Sequence, residues 1–596
     1  MAEEIRQNHD FIPRLKKTAA ALWAQVRGSL TPELGKRAAV CLFMLLLLLC
    51  ECISCFIVKS DTDSFMNPFI QGMWLYLAIF GFSILPGGRA AKILLTFFLA
   101  VMSAVAATGI FLHLRFALDI DCDSFFVLAA SSTEEVREFL SRFLSWQMAL
   151  MVLAAAAVCG GMIALVWRTK YPRSRWNTAI ALLLALPFVV NCIRYSASGD
   201  AERIYSRSNL PRLVSGYFIY RGEYAKMLEL EKHPKTPSGM RQLPGGENLI
   251  GVLVIGESAN SGHWGAYGYP RDTTPEIDRR RDSCLVFDDV VAPYPITPAA
   301  LQYMLTDARI DGKKRWRADF TLVDAFKAAG WRVVLISNQT RWGKYDGPIG
   351  ILTAHCDQRI YLREKKKKRF DADVVPELRD ELRRAGGKRV LIIAHLMGSH
   401  QEFSMRYPKE FARFDNVRDR CNANMKEKHA RELNEYDNSI AYTDVVLGAI
   451  LRELEALERP AFMLYCSDHS ELGDWSGQHH ARSAAAAVPD VFEVPCVLWT
   501  NGEYRRRFPK FIARAARNVH APVQTDRLIW SVLSAAQIDF DGFPRDEDIF
   551  SGELYRPPKQ RLIAGTPYRP SKTKLKLREV RRNEENAGSK QQPNTK

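Results

Sequence analysis

Cysteine is scarce in this chain where it would have to act as a staple. The 596 residues include 12 cysteines, and only Cys284, Cys356, Cys421, Cys466 and Cys496 lie beyond residue 193. An odd number leaves at least one of them without an intramolecular partner, which excludes a disulfide framework as the main support of that part. Cys356 and Cys421, in polar loops, are the two expected to pair in an oxidising compartment. Cys466 and Cys496 sit in apolar runs and are expected to be buried and free. Internal repeats are missing as well, which excludes a solenoid. Beyond residue 555 large apolar side chains run out and Pro, Lys and Arg take over. Residues 556–596 therefore read as a basic, disordered tail.

Apolar residues, 47% of the chain, are concentrated near the N-terminus. The stretches 39–58, 69–85, 93–113, 147–167 and 178–193 read as five membrane spans. The first, third and fourth are each long enough to cross about 30 Å of hydrocarbon; the second and fifth are shorter, and Pro187 interrupts the fifth. Arg14, Lys16, Lys17, Arg27, Lys36 and Arg37 precede the first stretch, and basic residues recur in the second and fourth connections. The first and third connections are acidic, with Asp61, Asp63, Asp119, Asp121 and Asp123. By the positive-inside rule residues 1–38 stay in the cytoplasm, and five spans export everything after residue 193. The first stretch starts too late to be a cleaved signal peptide. Glu51, among Cys50, Cys52 and Cys55 near the outer end of the first span, suits an interfacial role better than transport. The net charge of +16 fits work at an anionic membrane surface, and export argues against a nucleic-acid partner.

Residues 194–247 read as a connector with amphipathic pieces such as 213–219, suited to the membrane interface. From 248 to 555 the pattern alternates. Strands are expected at 249–255, 332–336, 389–394, 461–467 and 494–499, with helices at 298–306, 321–329, 373–385 and 432–455. That alternation specifies an α/β domain with a mostly parallel sheet flanked by helices.

Two of these strands end on metal-ligand side chains. The first runs into Glu257, and the run Phe462 to Ser467 stops at Asp468 and His469. In an open α/β sheet the carboxyl ends of the strands form the ligand crevice, so remote segments can build one metal site there. Mixed oxygen and nitrogen donors suit zinc better than calcium or magnesium. Thr297, followed by Pro298, is the expected N-cap of a helix, whose N-terminus also favours an approaching phosphate. His395 and His400 follow the strand at 389–394, with Gly398 between them for close backbone approach. His479 and His480 follow the Asp-His pair. These four imidazoles suit phosphate binding or a second metal ion.

Gly256-Glu257-Ser258, the run Gly268 to Pro275 (GYPRDTTP), Gly398-Ser399-His400, Tyr436-Asp437-Asn438-Ser439 and Ser467-Asp468-His469 together resemble the phosphoethanolamine transferases. These are inner-membrane enzymes of Gram-negative bacteria with a sulfatase-like domain of the alkaline-phosphatase superfamily. The resemblance implies a multi-pass inner-membrane protein with a periplasmic catalytic domain, working as a monomer among membrane lipids. It implies transfer from phosphatidylethanolamine to an envelope glycolipid, lipid A or lipopolysaccharide core. Thr297 would be the nucleophile. Glu257, Thr297, Asp468 and His469 would bind one zinc ion, with a second ion allowed. His400, His480 and Lys344 would bind substrate, with His395 and His479 as further candidates.

The sequence departs from that family in three places. Ser470 replaces a glycine after the Asp-His pair, Tyr294 and Tyr303 stand near the places of cysteines that commonly flank the nucleophile, and Asn260 replaces a frequent basic residue. Rival readings are a phosphoglycerol transferase, a phosphodiesterase or a sulfatase of the same superfamily, or a non-catalytic membrane scaffold. A sulfatase needs Cys or Ser in a Cys/Ser-X-Pro-X-Arg context, and Ile296-Thr297-Pro298-Ala299-Ala300 has neither that residue nor the arginine. A scaffold would have lost ligands, and all four are present.

Overall fold

The computed structural model describes residues 32–59, 63–116, 120, 122–131, 136–137, 146–172, 175–197, 209–310, 317–339, 348–363, 369–472, 488–552, 561–563 and 565–570. The chain divides into two compact units, one of residues 1–114 and 142–215, the other of residues 115–141 and 216–596.

The first unit is built on apolar helices: α1 (Pro32–Lys59), α2 (Asp63–Ile84), α3 (Gly88–Phe116), α5 (Trp146–Arg168) and α6 (Arg175–Ala197). The intervening α4 (Cys122–Ala130) belongs to the second unit. Val40, Met44, Leu48 and Cys52 form a buried stripe along one face of α1, packed against Tyr76 and Phe80 of α2 and Leu95 and Leu99 of α3. Spacing by four residues places such side chains one above another on a helix. Leu150, Met151, Val152 and Leu153 of α5 are all exposed, an outward apolar surface that suits hydrocarbon rather than water. Among the described residues three helices are long and apolar enough to cross a membrane, at Pro32–Ser54, Gly88–Leu114 and Met148–Arg168. The other two expected spans contain the shorter apolar stretches Gly72–Ile84 and Thr178–Arg194. Pro187 does not end the fifth segment; α6 continues through it. Glu51 is buried and accepts hydrogen bonds from the Tyr76 hydroxyl (3.2 Å) and from the backbone N–H of Asn209 (3.3 Å). Asn209 is the first residue of α7 (Asn209–Lys232), so the Glu51 carboxyl accepts a free N–H at a helix N-terminus.

The second unit is organised by a seven-stranded sheet. Its strands are β1 (Ile250–Gly256), β2 (Cys284–Phe287), β3 (Arg332–Ser337), β4 (Gln358–Tyr361), β5 (Val390–His395), β6 (Ala461–Ser467) and β7 (Cys496–Thr500), in the spatial order β2-β7-β6-β1-β5-β3-β4. β6, β1, β5, β3 and β4 are parallel; β7 and β2 complete one edge antiparallel. Every residue of β1, β5 and β6 is buried, as expected of strands covered on both faces. Alternation explains the two cores. Leu253, Ile255, Leu391, Ile393 and Leu464 join one cluster, while Val252, Val254, Ile392, Ala394 and Met463 join the other.

The helices α8 (Thr297–Met304), α9 (Leu322–Ala328), α10 (Val374–Ala385) and α11 (Glu427–Glu455) stand where the hydropathy pattern places them. Thr321 and Asp324 close a reciprocal capping box at the start of α9. The acidic connection 119–135, by contrast, gives no sign in the sequence that its Phe126 joins the cluster holding Leu301 and Met304 of α8. Two further expectations are corrected. Cys356 and Cys421 are unpaired, because one packs against the cluster on one sheet face and the other against the cluster on the opposite face. The tail also does not begin at 556: Arg561 bonds Asp289 (3.0 Å) and Tyr568 bonds the buried Glu493 (2.5 Å). Residues 571–596 lie outside the described residues.

Candidate metal centre

Register assembles this site. In the parallel pair of β1 and β6, Gly256 faces Ser467, so the next residues, Glu257 and Asp468, leave the sheet side by side. Across β1 on its other side, Ile255 pairs with His395 of β5, and His395 pairs with Ser337 of β3. Four adjacent strands thus release polar side chains at one edge.

Glu257, Asp468 and His469 are buried, and one ligand atom from each lies within 4.8 Å of the others. Thr297 joins them. Its hydroxyl lies 3.1 and 3.0 Å from the two carboxylate oxygens of Glu257, and 3.2 Å from Nε2 of His469. That placement corrects the capping role expected for Thr297. The residue before it, Ile296, occupies the N-cap, and no side chain caps α8; the Thr297 hydroxyl is turned to the cluster instead. Nδ1 of His469 is 2.8 Å from the carbonyl of Ser470, a bond that needs the proton on Nδ1 and leaves Nε2 free to ligate. Ser470 itself fits without left-handed backbone and donates its N–H to Val491 O (3.0 Å).

The electrostatics of the cluster call for a cation. Burial acts to raise the pKa of Glu257, but the hydrogen bond and charge of His469, with His400 and His395 nearby, hold it below the carboxylate range. Burial and then the Glu257 charge push Asp468 upward. His469 moves up despite its burial, because Asp468 and Glu257 stabilise an imidazolium. Two buried carboxylates thus face a single imidazole, which alone offsets their charge. Oδ2 of Asp468 is buried and lacks a well-formed hydrogen bond among the described residues. A zinc ion fits this donor set: two carboxylates, one imidazole and a hydroxyl make a four-ligand shell.

A second layer fixes the ligands, and the sequence reading missed it. Ser258 adopts left-handed backbone at φ 58°, donates its hydroxyl to Glu257 (2.9 Å) and its N–H to Asp468 (3.2 Å). Gln339, just past β3, donates to the other Glu257 oxygen at 3.1 Å. The strand-end rule that picked out Glu257, applied to 332–336, would have pointed to Asn338 and Gln339. Asn338 and the backbone N–H groups of Met397 and Gly398 all donate to buried Asp371 at 2.8 Å, bracing the loop that carries His400. Gly398 has φ 48°, and a Cβ there would lie 2.6 Å from the carbonyl oxygen of Glu257. Arg271 bonds Asp419 and Asp437, and Asp437 also meets His263 and Tyr269. One residue earlier on α11, Tyr436 ties to Ser258 O (2.9 Å) and Asn260 N (2.8 Å). Tyr294 and Tyr303, on either side of Thr297 in sequence, stack at 5.5 Å.

His395 is buried with Nδ1 3.3 Å from the Ser337 hydroxyl, and burial pushes its pKa down to about 4, so it is neutral. His400 is half-buried on the adjoining loop. Lys344, His479 and His480 lie outside the described residues.

The sulfatase family model matches residues 250–538. Phosphoethanolamine transferase EptC of Escherichia coli (strain K12) is 24% identical over 479 residues, covering 76% of this chain and 82% of its own. The periplasmic domain of the Escherichia coli EptC protein, solved in complex with zinc, superposes with a TM-score of 0.51 at 26% identity, covering 56% of this chain and 94% of that one. The integral membrane lipooligosaccharide phosphoethanolamine transferase A of Neisseria meningitidis shares the fold over 89% of this chain and 99% of its own, with a TM-score of 0.63 at 18% identity. Residues 250–538 are therefore a sulfatase-family domain, carried by a chain that is a relative of the phosphoethanolamine transferases.

Proposed function

We propose that the protein moves phosphoethanolamine from phosphatidylethanolamine to an envelope glycolipid, lipid A or lipopolysaccharide core, in two steps through Thr297. The observation that carries this reading is the Thr297 hydroxyl, held 3.0–3.2 Å from a carboxylate and an imidazole at the start of a helix. Among the described residues the Ser258 hydroxyl also reaches Glu257, but Thr297 is the one whose hydroxyl meets both Glu257 and His469, and it does so at a helix start, where phosphate is favoured. Zinc held by Glu257, Thr297, Asp468 and His469 would lower the pKa of that hydroxyl and offset charge developing at phosphorus.

In the first step the Oγ1–P bond forms as the ester bond to diacylglycerol breaks, and the proton given up by the Thr297 hydroxyl passes through solvent to the departing alkoxide. In the second, an acceptor hydroxyl or protonated phosphate attacks the same phosphorus, the Oγ1–P bond breaks, and the proton lost by the acceptor returns to the Thr297 oxygen. His400, His480 and Lys344 would steady phosphoryl oxygens, with His395 and His479 as further candidates. A multi-pass protein in the bacterial inner membrane, with five spans and a periplasmic catalytic unit, would meet both lipids at one surface. A phosphoglycerol donor is the second reading, kept because it shares the threonine and the metal. The segment Gly268 to Pro275, tied through Arg271 to Asp437, favours the ethanolamine branch.

Mass spectrometry of protein incubated with phosphatidylethanolamine tests the proposal. A phosphoethanolamine adduct on the Thr297 peptide is expected, absent in Thr297→Ala. An adduct that survives in the alanine variant refutes the assignment, and a glycerophosphate adduct formed from phosphatidylglycerol selects the second reading.

A further inference from the structure

The sheet places two thiols opposite each other directly behind the metal ligands. Cys466 of β6 pairs with Cys496 of β7 in antiparallel register. Both are fully buried and unpaired, and they share one core cluster, so their side chains leave the same sheet face. The hydrogen-bond pattern identifies the type of pair. The adjoining pair is bonded through Ser467 N–H to Pro495 O at 3.3 Å. Cys496 spends its own N–H and carbonyl on the Tyr267 hydroxyl, at 2.8 and 3.0 Å. Alternation along an antiparallel ladder therefore leaves Cys466 and Cys496 as a non-hydrogen-bonded pair, whose Cα atoms stand about 4.5 Å apart with side chains close. That is within the Cα separation a disulfide spans, roughly 4.4–6.8 Å. The Cys466 thiol donates to Ser467 O at 3.4 Å, and burial first, then the facing Cys496 thiol, raises its pKa.

We propose that Cys466 and Cys496 form a cross-strand disulfide that staples β6 to β7 and closes the base of the loop bearing Asp468 and His469. The location this requires, an oxidising compartment, rests on the periplasmic placement proposed above. Two S–H bonds break and one S–S bond forms, while the two electrons and two protons released convert a protein or small-molecule disulfide into two thiols. Because both sulfurs are sealed in the finished core, the exchange takes place while the sheet assembles. The staple closes a loop of about thirty residues, long enough for a cross-link to restrict the unfolded chain substantially. It acts on the β6 end from which Asp468 and His469 project. Its role is therefore to hold the ligands in place, not to react.

The test uses full-length protein purified from membranes without reductant, denatured in acid, alkylated and digested. A peptide pair linked through Cys466 and Cys496 is expected, disappearing on reduction, while Cys284, Cys356 and Cys421 alkylate directly. Alkylation of Cys466 and Cys496 alongside those three overturns the proposal. A second measurement guards against loss by scrambling: wild type unfolded and refolded in reductant should melt several degrees below untreated wild type, and Cys466→Ala/Cys496→Ala should be unmoved by the same treatment. Equal Tm for the untreated and the reduced, refolded wild type also overturns it. The Thr297 peptide in the same digest reports the transferase reading separately, so either idea can fail alone.

Discussion

Gly398→Ala separates a backbone effect from a steric effect at the metal centre. Gly398 has φ 48°, a left-handed conformation that costs a residue with a Cβ about 1–2 kcal/mol. The added Cβ also meets the oxygen of Glu257 at 2.6 Å, its nitrogen at 2.8 Å and its Cβ at 3.2 Å. The first two are backbone atoms, and the Ser399 N–H bond to Glu257 O at 2.8 Å holds them, so they cannot swing aside as a side-chain tip would. Restoring ordinary contact requires Glu257 and the His400 loop to separate by several tenths of an ångström, and misplacement approaching 1 Å can cost about 100-fold in rate. Gly386 is the control for the steric contact. It has φ 52° and ψ −124°, and nothing lies within 4 Å of its Cβ position, so Gly386→Ala carries a backbone penalty without the clash. The expected result is a loss of stability in both variants, with zinc affinity and adduct formation on Thr297 falling only in Gly398→Ala, the latter by roughly 100-fold. Chelator competition measures the first and single-turnover mass spectrometry the second. If Gly398→Ala binds zinc and labels within threefold of Gly386→Ala, the close packing of the loop on Glu257 does not govern the site.

Two further outcomes are expected. Gln339→Ala removes one hydrogen bond to Glu257, worth about 1 kcal/mol; labelling of Thr297 should slow about fivefold, and an unaltered rate would show that Gln339 does not orient the carboxylate. Asp526 supplies a pH test away from the metal. Burial pushes its pKa up to about 6 from 3.8, opposed by Arg527 and by its hydrogen bond from Ile310 N–H. A raised carboxyl holds its proton more tightly when folded, so its stabilising contribution is present below pH 3.8 and is lost as pH rises through about 6. Asp526→Asn keeps an acceptor for Ile310 and removes the charge. Its Tm relative to the wild type should therefore be higher at pH 8 than at pH 4.5, and an equal difference at both values would refute the assignment.

Much of the architecture was legible because hydropathy period is a local property. Continuous apolar runs marked β1, β5 and β6, since strands covered on both faces have no polar side to show. The same rule exposed Glu257, Asp468 and His469 as strand-end residues. The capping expected of Thr297 failed because a helix start is a local signal, whereas the partners that claim its hydroxyl, Glu257 and His469, are remote in sequence. Gln339 escaped notice because its side chain works through long-range bonds, to Glu257 and to Leu396 O. Cys356 and Cys421 looked able to pair because sequence shows loops and not sheet faces.

Composition and periodicity by themselves determined an apolar helical region, an α/β unit after it and a set of polar residues ending its strands. Those properties are set by which side chains water rejects. Only the tertiary structure decided which residues meet: the pairing of Gly256 with Ser467 puts Glu257 beside Asp468, and that of Cys466 with Cys496 faces two thiols across β6 and β7. Register is fixed by packing between segments about two hundred residues apart, or across a loop, and no single stretch of sequence carries it.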